Sequence, residues 1–204
     1  MTNHNHPQHR FDPAKAQKLL DPQWRLINDP VQLVQQMGIK HGLHVVDLGC
    51  GAGFFTKAIL EVVGNNGRVA AVDVQQPILD FFHSHVGQHP NLEAIKSDLC
   101  QTGLDSSQYD VAFIAFTLHE VKVADALLEA SRILKPGGLL IALEWGNIKP
   151  CPERNGKHVG PPEDHRLLPP TLIHQLDKSG FKTINQEERI GGCQYWVVAQ
   201  SVEE

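Results

Sequence analysis

The sequence predicts an α/β fold in which a doubly wound, mostly parallel sheet of seven strands is covered by helices on both faces. Two observations predict it. Between residues 45 and 145, near-continuous apolar runs of strand length alternate with helical patterns, which is typical of parallel strands buried on both faces. At the end of the chain, only GGCQ (191–194) separates the last two predicted strands. That gap is too short for a crossover helix, so we expect the last strand to run antiparallel.

The first helices have clear start signals. Asp12-Pro13 and Asp29-Pro30 each place a capping acid before a proline that suits the first helical turn. They predict helices near 13–20 and 30–37, and we treat residues 11–40 as an N-terminal helical cap. Residues 1–10 read as a disordered polar tail, although their three histidines leave loose metal binding open.

The remaining elements follow in order. Hydrophobic periodicity and glycine or proline boundaries decide between strand and helix. Strands are predicted at 45–48, 68–74, 92–97, 109–116, 139–145, 181–190 and 194–201. Helices are predicted at 54–63, 77–87, 123–134 and 170–179, and KPGG (135–138) is predicted to be a turn.

Composition and charge narrow the classes of function. The chain has 204 residues, 41% hydrophobic, with a net charge of −5, which fits one domain over 1–204 and disfavours a nucleic-acid partner. No apolar run approaches the ~18 residues of a membrane helix. The four cysteines form no CxxC pair, and we interpret them as reduced thiols of a cytoplasmic protein.

The glycine loop carries the strongest functional signal. Gly49, Gly51 and Gly53 lie between the first predicted strand and its helix, where an open parallel sheet binds its ligands. Glycine lets the backbone bend sharply and approach a ligand closely. Asp73 ends the second predicted strand, where a carboxylate can accept hydrogen bonds from both hydroxyls of a ribose. Together they predict an adenosine-containing cofactor, and the GxGxG spacing differs from the GxGxxG of dinucleotide-binding folds.

Five ordered motifs extend this signal over residues 40–200. They are VVDLGCGAGFFT (45–56), AVDV (71–74), SDLC (97–100), YDVAFIAFTLHEV (109–121) and LKPGGLLIALEW (134–145). In this order they resemble class I S-adenosylmethionine-dependent methyltransferases, whose last strand is also antiparallel. FDPAKAQKLLDPQWR (11–25) and GPPEDHRL (160–167) resemble segments of small-molecule members of that family, and the likeness extends to the quinone-biosynthesis group.

The resemblance implies roles for the cofactor-binding residues. The backbone of Gly49 and Gly51, with Gly53 completing the loop, would approach the methionine part of S-adenosylmethionine. Asp47 would hold the loop or accept from the cofactor's amino group, and Asp73 would bind the ribose.

Further along the chain, the same resemblance assigns the adenine end and the wall near the sulfonium. Val74 would pack on the adenine, Asp98 would accept from its amino group, and the Leu99 amide would face a ring nitrogen. Phe116 and Thr117 would line the wall near the sulfonium.

The residues that bind the methyl acceptor have weaker signals in the sequence. His119 and Glu120, just past the fourth predicted strand, are candidates for acid–base catalysis, although His119 could instead cap the following helix. Residues 146–170 hold six prolines and predict a substrate-side loop. Candidates for contact with the acceptor are Glu144, Trp145, His158, His165 and Arg166, and Arg166 could equally hold the loop by an ion pair.

The predicted reaction is therefore methyl transfer from S-adenosylmethionine to a small molecule, with release of S-adenosylhomocysteine. Transfer to a protein or RNA, a cofactor-binding protein without catalysis and, more remotely, an NAD-dependent dehydrogenase stay open as alternatives. No metal site is predicted, although His85 and His89 have a spacing that could share an ion. The oligomeric state, the acceptor atom and any regulation are left open.

Overall fold

The computed structural model describes residues 11–202, without the side chain of Trp24. The predicted tail, residues 1–10, lies outside these residues, as does the Trp24 side chain that we expected in the N-terminal cap. The strands are β1 His44–Leu48, β2 Arg68–Asp73, β3 Leu92–Lys96, β4 Tyr109–Ala115, β5 Leu134–Trp145, β6 Glu153–Arg154, β7 Lys157–His158, β8 Phe181–Arg189 and β9 Gln194–Ser201.

The helices confirm the predicted alternation. The α-helices are α1 Pro22–Arg25, α2 Pro30–Gln36, α3 Phe54–Val63, α4 Gln76–Val86, α5 Val123–Ile133 and α6 Pro169–Lys178. Short 3₁₀ helices occupy Pro13–Leu20, Leu118–Glu120, Glu163–His165 and Ile190–Gly192. The predicted caps are present, since the carboxylates of Asp12 and Asp29 accept from the backbone N–H groups of Ala14 and Gln32.

Seven strands form one sheet in the order β3-β2-β1-β4-β5-β9-β8, and β6 and β7 form a separate two-residue hairpin. The first five sheet strands are parallel, whereas β9 is antiparallel to both β5 and β8, as the short gap before it predicts. The chain winds outward from β1 in one direction to β3 and in the other to β5. This switch point places a ligand crevice at the carboxyl ends of β1, β2 and β4.

Two hydrophobic cores cover the faces of the sheet. Side chains alternate along a strand, so Val45 packs into the core beneath α2, α3 and α4, while Val46 packs into the core beneath α5 and α6. Burial on both faces explains why the central strands read as continuous apolar runs. Both faces being covered, polar side chains of these strands concentrate at the strand ends.

Three expectations need correction. The chain at 13–20 is a 3₁₀ helix, and KPGG lies inside β5, where the pairing with β4 shifts register between Tyr109 and Val111. The reduced state predicted for all four cysteines is wrong for two of them, because Cys151 and Cys193 form a disulfide. The two are 42 residues apart, so no local spacing announces the pair.

Among residues 11–202, no helix is long and apolar enough to cross a membrane. The same residues hold no cluster of three or more histidine, cysteine or carboxylate side chains suited to a metal ion.

Candidate active site

A cavity of about 380 Å³ opens at the carboxyl edge of the sheet. Its glycine-loop half is formed by Gly49, Gly51, Asp73, Val74, Asp98 and Leu99. Its histidine half is formed by Phe116, His119, Glu120, Trp145, Pro161 and His165. Leu19, Gln75, Ile78 and Ser97 also line it.

The glycine loop is shaped by backbone hydrogen bonds and by the absence of side chains. The N–H groups of Gly49 and Cys50 both donate to the carbonyl of Val72, at 2.8 and 3.0 Å, which turns the chain sharply at the end of β1. Gly49 has a φ of +81°, and a Cβ there would lie 2.6 Å from the side chain of Thr117. A larger residue is therefore excluded both by conformation and by space.

Asp73 connects this loop to the end of β2. One carboxylate oxygen accepts the Gly51 N–H at 3.1 Å and the other accepts the Gln75 N–H at 2.9 Å. Burial raises the pKa of Asp73, and the backbone donors at Gln75, Gly51 and Val74 oppose that rise. Each carboxylate oxygen has two lone pairs, so both can still accept a ligand hydroxyl.

Asp98 and Leu99 lie where β3 ends and the chain turns towards β4. One Asp98 oxygen accepts the Cys100 N–H at 2.9 Å, which closes a tight turn, and each carboxylate oxygen has two lone pairs with which to accept from a ligand. Leu99 is buried and presents an apolar surface to the cavity. This pairing of an acceptor and an apolar wall suits a purine ring.

Two of the predicted cofactor residues lie behind the cavity wall instead. Asp47 is 2% exposed, accepts from the Thr56 hydroxyl at 2.5 Å, and burial raises its pKa to about 7. Gly53 packs against Val86 and Phe82 of α4, where any Cβ would clash. Their positions support holding the loop rather than touching a ligand.

His119 is fixed by a carboxylate from the neighbouring strand. Glu144, fully buried at the end of β5, accepts from the Leu118 N–H at 2.8 Å and the Trp145 N–H at 3.2 Å. Its Oε2 lies 2.8 Å from His119 Nδ1. Because the carboxylate accepts from these donors, Nδ1 carries the proton towards it, and Nε2 is left as the second, reactive nitrogen.

Glu120 stands next to that nitrogen, with Oε1 3.9 Å from His119 Nε2. Burial lowers the pKa of His119, but the charge and hydrogen bond of Glu144, with the charge of Glu120, outweigh it, so the net shift is upwards. Burial raises the pKa of Glu120 to about 7, and the charges of Glu144 and Asp73 add to that rise. The two side chains can therefore exchange protons with a ligand near neutral pH.

Aromatic rings form the wall beside these groups. Phe116 follows β4 with a φ of +57°, a conformation that bulky residues rarely adopt, and its ring centroid is 4.9 Å from that of Trp145. Gly160 lies against the Trp145 ring so closely that a Cβ would approach it to 2.6 Å. The loop after β5 thus covers the cavity with Gly160, Pro161 and Pro162.

Arg166 lies outside the cavity wall. Its guanidinium donates to the carbonyls of Pro161 and Val159, at 2.9 and 2.7 Å, and stacks 5.6 Å from the Trp145 ring centroid. These contacts favour the loop-holding alternative, through carbonyl groups rather than an ion pair. The disulfide of Cys151 and Cys193 ties the same loop to the turn before β9.

Several residues of the site could not be placed firmly from the sequence. Phe11, Leu19 and Arg25 reach the cavity from the N-terminal segment. Glu144 was expected to face an acceptor, whereas it faces His119. Its one sequence signal is an acid inside the apolar strand LLIALEW.

Comparisons with known proteins agree with this geometry. A family profile described as a methyltransferase domain matches residues 46–142. A solved structure of an S-adenosylmethionine-dependent methyltransferase from Aquifex aeolicus is 31% identical, with a TM-score of 0.83, and the match covers 95% of this chain and 100% of that one. A methyltransferase structure from Mesorhizobium loti, 20% identical over 83% of this chain and 95% of that one, has a TM-score of 0.65 and shows the fold alone.

Curated relatives match over a shorter range. A demethylmenaquinone methyltransferase of Staphylococcus aureus is 29% identical over 114 residues, which is 55% of this chain. The match spans about half of that relative, 47% of its length.

Proposed function

Because the chain belongs to the family of S-adenosylmethionine-dependent methyltransferases, we propose that it methylates a small-molecule acceptor and releases S-adenosylhomocysteine. One observation carries the proposal. A single cavity joins the glycine loop and Asp73 to the His119–Glu144 pair, so a cofactor site and a proton-accepting group share one space. Alignment of the two reactants within such a space is the main contribution that a protein makes to this chemistry.

The residues present fit S-adenosylmethionine. Gly49 and Gly51 leave room for its methionine part where a Cβ would clash or crowd, and Asp73 retains lone pairs for the ribose. Asp98 and Leu99 offer an acceptor and an apolar wall to the adenine. The cofactor supplies an electrophilic methyl group on a sulfonium. The protein then has to orient the two reactants and exclude water.

His119 is the proposed proton acceptor. With Nδ1–H donated to Glu144, Nε2 can take a proton from an acceptor molecule as its atom becomes nucleophilic. Glu120, with a pKa raised to about 7, can take up or pass on that proton. Phe116 and Trp145 would hold the acceptor by its apolar face.

A small, partly apolar acceptor is supported by the shape of the histidine half. Its walls are aromatic rings and prolines, and the loop that carries Pro161 and Pro162 covers it. The name of the curated relative adds a quinone-like ring as one candidate acceptor. The net charge of −5 disfavours binding to nucleic acid, so no nucleic-acid partner is proposed.

A cytoplasmic location is also part of the proposal. In that compartment thiols are kept largely reduced, so the disulfide of Cys151 and Cys193 counts against this location. If the disulfide is reduced there, the carbonyl contacts of Arg166 still hold the loop.

Transfer of labelled methyl groups tests the proposal. The protein is incubated with methyl-labelled S-adenosylmethionine and a cell extract separated by size, with the Asp73→Ala variant as the control. At a concentration of S-adenosylmethionine too low to saturate the variant, we expect label in the small-molecule fraction with the unaltered protein and much less with Asp73→Ala, and the labelled product identifies the acceptor. Label only in protein or RNA would overturn the acceptor class while leaving the cofactor in place.

The pH dependence tests the role of His119. Because its pKa is raised, Nε2 becomes available only as pH rises above the ordinary histidine range, so kcat should rise with pH through that region. Glu144→Gln removes the charge that raises this pKa, so the acidic limb should move to lower pH while kcat at its plateau falls. The pH profile of kcat is measured with the identified acceptor. If its acidic limb lies at the same pH in Glu144→Gln as in the unaltered protein, the pairing of His119 with Glu144 is contradicted.

A further inference from the structure

Arg25 is a buried cation at the wall of the cavity. Its side chain is 7% exposed, and it reaches the cavity from the end of α1, beside the glycine loop. The guanidinium carbon lies 5.2, 5.6 and 5.7 Å from the ring centroids of Phe54, Phe55 and Phe116. The rings hold the guanidinium in place, but they offer no oxygen or nitrogen that could accept a hydrogen bond from its N–H groups.

The donors of Arg25 are only partly used. Nε donates to the Leu19 carbonyl at 2.7 Å. Across residues 11–202, the two terminal nitrogens have no hydrogen-bond partner and no carboxylate at ion-pair distance. Of the described residues, only Trp196 has an enclosed side-chain nitrogen without a partner, so the terminal nitrogens of Arg25 open to the cavity, where a ligand can supply the acceptors.

Asp47 does not fill that place. Asp47 interacts with Arg25 through its charge, but its carboxylate is hydrogen-bonded to Thr56 and its pKa is raised to about 7 by burial. Burial lowers the pKa of Arg25 to about 10, so the guanidinium stays protonated at neutral pH. The cavity next to the glycine loop therefore presents a positive charge with two open nitrogens, each carrying two N–H donors.

We propose that Arg25 binds the carboxylate of the cofactor's methionine part through its terminal nitrogens. The inference rests on the proposed binding mode, in which Gly49 and Gly51 approach that part of S-adenosylmethionine. A planar guanidinium matches a carboxylate in geometry as well as charge. Arg25 then also closes the N-terminal segment over the bound cofactor, since its Nε holds Leu19, whose side chain lines the same cavity.

A pair of cofactors isolates this contact. Decarboxylated S-adenosylmethionine keeps the amine, sulfonium, ribose and adenine and lacks only the carboxylate. Calorimetry should show that the unaltered protein binds S-adenosylmethionine roughly 30-fold more tightly than the decarboxylated form, since a hydrogen-bonded charge pair is lost. In Arg25→Gln this preference should fall below about threefold, because binding of the carboxylate form weakens and the decarboxylated form no longer meets the positive charge of Arg25. Arg25→Lys keeps the charge without the fork and should retain part of the preference.

Arg189→Gln is the matched control. Arg189 donates to the Leu26 carbonyl at 3.3 Å, so it also secures the N-terminal segment, yet it does not line the cavity. This variant should keep the full preference for S-adenosylmethionine, and thermal unfolding of each variant checks that it is folded.

An unchanged preference in Arg25→Gln, or equal weakening of both cofactors, would overturn the assignment. A preference already absent from the unaltered protein would also overturn it and would assign Arg25 to an acidic acceptor instead. Neither result depends on methyl transfer, so failure of the small-molecule acceptor would leave this measurement intact.

Discussion

The two halves of the cavity are built by different means. The glycine-loop half depends on backbone conformation and on side chains within a few residues of the loop or the next strand end. The histidine half depends on contacts between distant segments, such as His119 with Glu144, 25 residues later in the chain, and Cys151 with Cys193, 42 residues later. The first kind of site can be recognised from short sequence motifs, whereas the second kind forms only when distant segments meet in the folded chain.

The disulfide gives the largest expected effect and bears on the histidine half alone. Cross-linking a loop of 42 residues lowers the entropy of the unfolded chain by an amount worth about 4 kcal/mol. Replacing Cys151 and Cys193 by serine should therefore lower the free energy of unfolding by up to about 4 kcal/mol under oxidising conditions, measured by urea denaturation. Affinity for S-adenosylmethionine should change little, because the glycine-loop half keeps its contacts.

Cys100→Ser is the control, since Cys100 is a free thiol. Added dithiol should lower the free energy of unfolding of this variant as much as it lowers that of the unaltered protein. The free energy of unfolding of the double variant should not change. A thiol count on unfolded, unreduced protein gives a direct check, because two titratable thiols fit the disulfide and four contradict it.

Sequence predicted the fold well because its signals are local. Proline and aspartate caps, apolar strand runs and the short gap before β9 each act over a few residues, and the sheet order and the antiparallel strand follow from them. KPGG was predicted as a turn, but Leu134 and Leu139 on either side of it pair with Tyr109 and Val111 of β4, so the segment becomes a bulge within β5.

His119 gives the next largest effect, and it would separate the halves most clearly. If Nε2 accepts the proton, His119→Ala should lower kcat about 100-fold or more, the usual range for a general base. The dissociation constant of S-adenosylmethionine should change by less than about twofold, because no cofactor contact is removed. Steady-state rates with the identified acceptor and calorimetry with the cofactor give both quantities.

His158→Ala is the matched control, because that histidine lies in the loop after β5, contacts the Cys151 carbonyl and does not line the cavity. Its kcat should stay close to that of the unaltered protein. Equal kcat in the His119 variant would return His119 to the role of holding Glu144 and the turn after β4.

The site was predictable to the extent that it is local. Asp73 was identified from its place at a strand end, and it does lie in the cavity. The roles of Arg25 and Glu144 could not be assigned correctly from the sequence, because they depend on what folding places beside them, three phenylalanine rings in one case and His119 in the other. A buried charge in an apolar strand or next to apolar neighbours is the physical signal that links them.

Asp73 gives the smallest of these effects and tests the glycine-loop half. Asp73→Ala should weaken S-adenosylhomocysteine binding by about 2 kcal/mol, since a charged acceptor of hydrogen bonds is lost. The same carboxylate also holds the Gly51 and Gln75 amides, so weaker binding alone would not separate a ribose contact from a disturbed loop. A cofactor analogue that lacks the ribose hydroxyls separates them. If Asp73 binds the ribose, the unaltered protein should lose affinity for the analogue, and Asp73→Ala should bind analogue and parent almost equally. If the variant still discriminates between the two by the full amount, the ribose contact lies elsewhere and Asp73 serves only to shape the loop.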